Sequence, residues 1–154
     1  RLIWAAFLLV IFGLLDTVDG ELARLKKMES NFGIFLDATT DRIKETFVYM
    51  GIVYYFYINE FVGGIMVAVF ALGGSLLVSY AKAKGEMVFA QGKNKLSASE
   101  VNRIFQDGLA RFEIRMALIA LGLLLNIVFL SVFVVAVLAW GTAMYRMVMI
   151  GKKL

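Results

Sequence analysis

Two stretches without a charged residue set the terms for everything else in this chain. Phe61 to Ala81 runs 21 residues, and Met116 to Tyr145 runs 30, with no Asp, Glu, Lys or Arg. Crossing the hydrocarbon of a bilayer takes about 20 apolar residues in a helix. The first stretch is one such helix. The second is too long for one, and Asn126, about a third of the way along, marks a turn between two. Two shorter uncharged runs, Leu2 to Leu15 and Thr46 to Ile58, fall short of a bilayer at about 1.5 Å per residue. Each reaches across only with help from the charged segment beside it. The expectation is an all-α integral membrane bundle of five helices, over about 1–27, 33–58, 61–84, 110–126 and 128–150.

Composition agrees with lipid as the solvent. Hydrophobic residues make up 61% of the 154 and charged residues 18%, against about 45–50% and about 25% in soluble domains. Cys, His and Pro are all absent. Disulfides, thiolate or imidazole metal sites, a cysteine nucleophile and a histidine base are thereby excluded. Chemistry falls to Asp, Glu, Lys, Arg, Ser, Thr and Tyr. The chain starts at Arg1 in the middle of an apolar run, which leads us to expect a further segment upstream.

Charge orients the bundle. Apart from Arg1, all Lys and Arg fall in 24–27, 42–44, 82–115 and 146–153, while the opposite turns, at Asn59–Glu60 and near Asn126, carry none. Basic residues mark the cytoplasmic side, so the long 82–115 loop, the C-terminus and any site between them are expected there. Topology and anionic headgroups account for the pI near 9.4, and no nucleic-acid partner is expected.

Carboxylates complete both short runs. Asp16 and Asp19 are i,i+3 neighbours, with Gly20 and Ala23 continuing their face. Asp37 and Asp41 are i,i+4 neighbours, with Gly33 one turn before. A turn near 27–31 makes the two helices antiparallel and lets the acidic pairs face each other. Four carboxylates at a membrane boundary repel one another unless cations neutralise them. Oxygen donors without Cys or His favour Mg²⁺ or Mn²⁺, with Ca²⁺ as another hard cation. Two divalent ions balance four negative charges and suit displacement at phosphorus. Gly20, Ala23 and Gly33 leave room for a nucleotide, and Arg24 offers a bidentate contact to phosphate. The competing readings are solvated loop charges offset by nearby Lys and Arg, and a prenyltransferase-like cluster, whose carboxylates usually sit in one denser run.

The stretch Asp16-x-x-Asp19-Gly20-x-x-Ala23-Arg24, eight residues, Gly33-x-x-x-Asp37-x-x-x-Asp41 resembles the signature of the CDP-alcohol phosphotransferases at all eight fixed positions. A chance match is on the order of 1 in 10¹⁰ per starting position from average residue usage. The resemblance implies six transmembrane helices with the signature across the second and third. Residues 1–154 are then one transmembrane domain of this family lacking its first helix.

It also implies a reaction in which an acceptor hydroxyl attacks the phosphorus next to the alcohol of a CDP-alcohol and CMP leaves. By the same resemblance, Asp16, Asp19, Asp37 and Asp41 hold two divalent metals, commonly Mg²⁺. Gly20, Ala23, Arg24 and Gly33 shape and contact the CDP site, and Asp41 is the general base. Whether Asp41 takes the proton, or a bound cation acidifies the acceptor hydroxyl instead, stays open on the residues alone.

The 82–115 segment carries the remaining charges. Ser97-x-x-Glu100 is a capping box before Val101, Ile104, Phe105 and Leu109 at helical spacing, which predicts a short amphipathic helix on the membrane surface. Ser79-Tyr80 followed by Lys82 and Lys84, and later Arg111 and Arg115, is similar to the members whose acceptors carry a phosphate. The resemblance makes these four cations candidates for an acceptor phosphate, against the plainer reading of positive-inside anchoring. The substrates expected are a CDP-alcohol donor, with membrane lipid as its tail, and a polyol or polyol phosphate such as inositol phosphate or glycerol phosphate, in phospholipid biosynthesis. Open alternatives are synthesis of a soluble inositol phosphodiester from CDP-inositol and a non-enzymatic divalent-cation transporter, although no inverted repeat is visible. A homodimer is also left open. Gly63-Gly64 and Gly73-Gly74 are expected to serve close helix packing.

Overall fold

A computed structural model describes residues 2–11, 13, 31–91 and 111–153, and all its regular structure is helical. In chain order the helices are α1 (Leu2–Ile11), α2 (Asn31–Ile58), α3 (Val62–Gln91), α4 (Phe112–Leu124) and α5 (Val128–Lys153). Their positions follow the uncharged runs, and the protein is an all-α membrane protein. Residues 62–89 of α3 and 128–152 of α5 are long and apolar enough to cross a membrane on their own. The 28 residues of α2 reach about 42 Å, but their N-terminal half is charged. At 13 residues α4 spans only about 20 Å. Expected helix 1–27 is described only at its start, and the amphipathic segment around 97–109 lies outside the described residues.

One expected boundary moves. The helix placed at 61–84 continues to Gln91, because charge at Lys82, Lys84 and Glu86 marks the edge of the apolar zone without breaking the helix. Ala, Lys, Glu, Met and Gln all propagate helix well, and no proline intervenes.

Both described turns close by the same device. At the end of α2, Glu60 adopts φ 53°, its N–H donates to the Tyr57 carbonyl, and the Phe61 N–H reaches back to the Phe56 carbonyl at 2.9 Å. This is a Schellman cap, and its usual apolar contact is the Phe56–Phe61 ring pair at 5.6 Å. Asn126, at φ 56°, likewise sends the Ile127 N–H back to the Gly122 carbonyl at 2.9 Å. The turn expected from Asn126 therefore falls where the left-handed conformation is needed, at a residue type that tolerates it.

The most extensive packing is α3 against α5, with α2 on α3 and α4 on α5 beside it. The core joins Tyr49, Ile52 and Phe56 of α2, Ala68 and Ala71 of α3, Ile119 of α4 and Val132 and Val135 of α5. Small residues permit the approach, as expected of helices packing in lipid. A Cβ on Gly74 would stand 2.7 Å from the Trp140 ring, and one on Gly64 would stand 2.6 Å from Phe56. Their neighbours Gly73 and Gly63 meet no other helix so closely, so one glycine of each pair does the packing. Trp140 stacks on Phe70 at 4.7 Å and donates its indole N–H to the Phe70 carbonyl at 2.9 Å. Large apolar side chains such as Phe47, Tyr54, Met66, Phe133 and Val137 face outward, as a lipid-exposed surface requires.

Candidate active site

The carboxylates of α2 stand on one stripe that turns progressively inward. Gly33, Asp37, Asp41 and Glu45 follow at intervals of four residues. Gly33 and Asp37 are exposed, the Asp41 side chain is 20% exposed, and Glu45 is fully buried. Thr39, Thr40 and Thr46 along this segment return their hydroxyls to the carbonyls of Phe35, Leu36 and Arg42. Their polar groups are thus satisfied without partners on other helices.

Buried beneath Asp41 is a charged network. Arg115, 1% exposed at the start of α4, donates from Nε and Nη2 to Glu45 Oε1 at 3.0 and 2.8 Å. Glu45 Oε2 accepts from Arg42 Nη1 at 2.6 Å, and the same nitrogen donates to Ser79 Oγ of α3. Arg42 Nη2 lies 3.9 Å from Asp41 Oδ2, and Lys44 Nζ lies 3.7 Å from Asp41 Oδ1. The fully buried pair, Glu45 and Arg115, cancels in charge, while Asp41, Arg42 and Lys44 lie nearer the solvent edge. Such balance is what makes buried charge tolerable. Phe112 covers the Arg42 guanidinium at 5.2 Å. One turn deeper, Tyr49 hydrogen-bonds Ser75 at 3.2 Å with both side chains buried. On α5, the buried Arg146 donates to the Val78 carbonyl at 2.9 Å.

The structure brings the expected residues together only in part. Asp16, Asp19, Gly20, Ala23 and Arg24 lie outside the described residues. Gly33, Asp37 and Asp41 share one face of α2, as their spacing requires. Among the described residues no three carboxylates gather as a metal cluster. Asp37 and Asp41 nonetheless present hard oxygen donors one turn apart, with glycine in place of a side chain on the turn before. That donor chemistry fits a divalent cation completed by other carboxylates. Of the four acceptor candidates, three are exposed: Lys82 pairs with Glu86 at 3.8 Å, Lys84 sits 5.9 Å over the Tyr80 ring, and Arg111 lies 3.6 Å from Glu113. Arg115 is placed differently, with its guanidinium turned into the bundle on Glu45.

The network formed by Glu45, Arg42 and Ser79 and the buried state of Arg146 escape sequence reasoning, although Ser79 itself is singled out there beside Tyr80. The signal for Glu45 is that it continues the i,i+4 stripe past Asp41 into an apolar run, where a solvated carboxylate has no place.

The chain belongs to the CDP-alcohol phosphatidyltransferase family, whose model matches residues 1–148. It is a transferase of that type, which sets aside the transporter reading. It is 32% identical to an archaetidylinositol phosphate synthase of Pyrococcus horikoshii over 155 residues, covering 99% of this chain and 72% of that protein. An archaetidylinositol phosphate synthase of Aeropyrum pernix is 29% identical, over 97% of this chain and 71% of its own length. A phosphatidylinositol phosphate synthase of Corynebacterium glutamicum is 36% identical over 88 residues, 56% of this chain and 40% of that protein. No solved structure matches.

Proposed function

We propose that this domain transfers a phosphoalcohol group from a CDP-activated lipid alcohol to a hydroxyl of an inositol phosphate, releasing CMP on the cytoplasmic side of the membrane. The observation that carries this reading is the placement of Asp37 and Asp41 one turn apart at the charged end of α2, in a chain matching the family across 1–148. The names of the archaeal and actinobacterial relatives support a lipid-linked inositol phosphate as product, rather than a glycerol phosphate product or a soluble phosphodiester.

In this reading the acceptor oxygen bonds to the phosphorus that carries the lipid alcohol, and the bond from that phosphorus to the CMP oxygen breaks. CMP departs with the electron pair. Asp37 and Asp41, with Asp16 and Asp19, supply the oxygens that hold two divalent cations, Mg²⁺ or Mn²⁺. Bound there, such ions draw off the negative charge that builds up on the phosphates during displacement. Asp41 receives the acceptor proton. Gly20, Ala23 and Gly33 keep the donor's path free of side chains, and Arg24 contacts its phosphates. Lys82, Lys84 and Arg111 attract the acceptor phosphate, with Arg115 behind them. The bundle keeps the lipid tail of the donor in the membrane while its headgroup meets a water-soluble acceptor.

The test is CMP release from radiolabelled CDP-alcohols offered a panel of polyols and polyol phosphates. Release that requires both Mg²⁺ and inositol phosphate supports the assignment. Release with free inositol or glycerol phosphate alone replaces the acceptor, and no release with any pair overturns the reading.

A further inference from the structure

Two side-chain contacts tie the first turn of α4 to α2, and both carry the same offset. Phe112 covers the Arg42 guanidinium, and Arg115 closes on Glu45 Oε1, each pair being 70 residues apart. Equal offsets at contacts three residues apart mean that the two helices run in one direction, in a fixed register. One residue before Phe112, that register sets Arg111 level with Asp41. Arg111 is the N-cap of α4, and its carbonyl accepts from the Arg115 N–H at 3.1 Å. Four residues apart, Arg111 and Arg115 share the α4 face that turns to α2, and the Arg111 side chain is exposed.

Glu45 is the centre of this arrangement. Along its length α4 packs chiefly on α5, which bears no signature residue. The contact with Glu45 is of another kind, because both side chains are buried and water does not compete for it. Two donors from one planar guanidinium also resist sliding and rotation as a single point charge does not. The other oxygen of the same carboxylate, Oε2, accepts from Arg42 Nη1, which also reaches Ser79 on α3. One carboxylate thus joins three helices, one turn deeper than Asp41.

We infer that Glu45 is a positioning residue for the acceptor side of the site. Through Arg115 it fixes the first turn of α4, and so holds Arg111 level with the aspartates of α2. The inference rests on the reading of Arg111 as a contact for the acceptor phosphate, and it assigns a function to a residue outside the eight signature positions. Positioning differs from plain support in what its loss changes. When α4 slips, Arg111 misses the acceptor phosphate in the bound and the reacting state alike, so the acceptor KM rises while kcat and the donor KM hold. General loosening of the bundle lowers kcat instead. Because Glu45 acts through Arg111, substitutions at the two positions should not add.

The experiment measures CMP release by the full chain in detergent, with a radiolabelled CDP-activated lipid alcohol as donor and inositol phosphate as acceptor. The proteins are the parent, Glu45→Gln, Arg111→Gln and the double variant. The acceptor KM should rise about fivefold in all three variants, the size of one exposed charge contact, with kcat and the donor KM within about twofold. A parental acceptor KM in Glu45→Gln beside a raised one in Arg111→Gln overturns the positioning role alone. So do effects that multiply in the double variant, or a fall in kcat for Glu45→Gln. A parental acceptor KM in Arg111→Gln overturns the reading of Arg111, and the positioning role with it, as does a parent that releases no CMP with this pair. Should Glu45→Gln not fold, Arg115→Lys takes its place, keeping the charge but reducing the two-donor contact to a flexible single one. The same rise, absent again on top of Arg111→Gln, is expected there, and a parental acceptor KM overturns the role.

Discussion

Glu45 and Arg115 lie 70 residues apart in sequence and meet in a fork, two guanidinium nitrogens on one carboxylate oxygen, with neither side chain reaching solvent. The pair ties α2 to the first turn of α4. Breaking such a pair leaves a buried charge without its partner, which costs about 3–5 kcal/mol, whereas replacing both partners by apolar residues is often neutral. Arg115→Ala should therefore lower the unfolding midpoint in detergent by roughly 10 °C or more. Glu45→Leu/Arg115→Met should recover most of that loss, since Arg42 is partly exposed and reaches water. Equal midpoints for the single and double variants would show that the fork does not govern stability.

The α3–α5 contact depends on the absence of a Cβ at one position. At Gly74 that atom would press into the Trp140 indole and the Ala139 methyl, while at Gly73 it would meet Trp140 at an ordinary 3.9 Å. Gly74→Ala should cost about 1–3 kcal/mol, the usual penalty for overpacking, and shift Trp140 fluorescence as the indole leaves Phe70. Gly73→Ala should leave both unchanged. Thermal unfolding followed by tryptophan emission reads the two together.

Glu60 closes its turn with φ 53°. The left-handed region costs an ordinary residue about 1–2 kcal/mol, while glycine enters it freely but loses more freedom on folding. The balance favours Glu60→Gly by about 0.5–1 kcal/mol. Asn126→Gly should gain less, because asparagine already tolerates this conformation. The difference between the two shifts in unfolding midpoint checks the argument, and a larger gain at 126 would contradict it.

The helices were legible because in lipid a run without charge has one outcome. The uncharged residues from 62 to 81 lie in α3, and the split at Asn126 falls at the turn between α4 and α5. Where charge was used to end a helix, as at Lys84, the reading stopped too early: charge reports the edge of the apolar zone, not the end of the hydrogen-bonded backbone. The aspartates of α2 were legible for the same geometric reason, four residues being one turn. The buried network was not. Arg115 and Arg146 look like topology markers when counted with other basic residues, yet both point into the bundle. Their burial depends on which helix packs beside them, and Glu45 finds Arg115 only after α4 has docked. Periodicity within one helix carries no record of a partner 70 residues away.

The signature aspartates of α2 should separate chemistry from folding. Asp37 is exposed and Asp41 partly so, and neither contributes to the apolar core. Asp41→Asn and Asp37→Asn keep size and shape while removing the carboxylate charge that the proposed function assigns to holding metal. Each should lower CMP release at least about a hundredfold, in line with losses seen when a group acting in the transition state is removed, with the unfolding midpoint within a few degrees of the parent. Full turnover in Asp41→Asn would remove it as both base and essential ligand.

The exposed cations proposed for the acceptor phosphate call for a different signature in the kinetics. Lys82 and Arg111 are both largely in solvent, and their partners Glu86 and Glu113 lie 3.8 and 3.6 Å away. Exposed pairs of this kind contribute at most about 1 kcal/mol to stability, so Lys82→Gln/Arg111→Gln should fold normally. If these side chains meet the acceptor phosphate, the double variant loses attraction that is present in both the bound and the reacting state. Such a loss raises KM and spares kcat. The expected result is an acceptor KM raised about tenfold, equivalent to about 1.4 kcal/mol, with the KM for the CDP-alcohol and kcat both within about twofold. The effect should shrink as salt is raised, because screening weakens charge contacts near water. An acceptor KM unchanged at low salt would leave Lys82 and Arg111 with the work of topology alone.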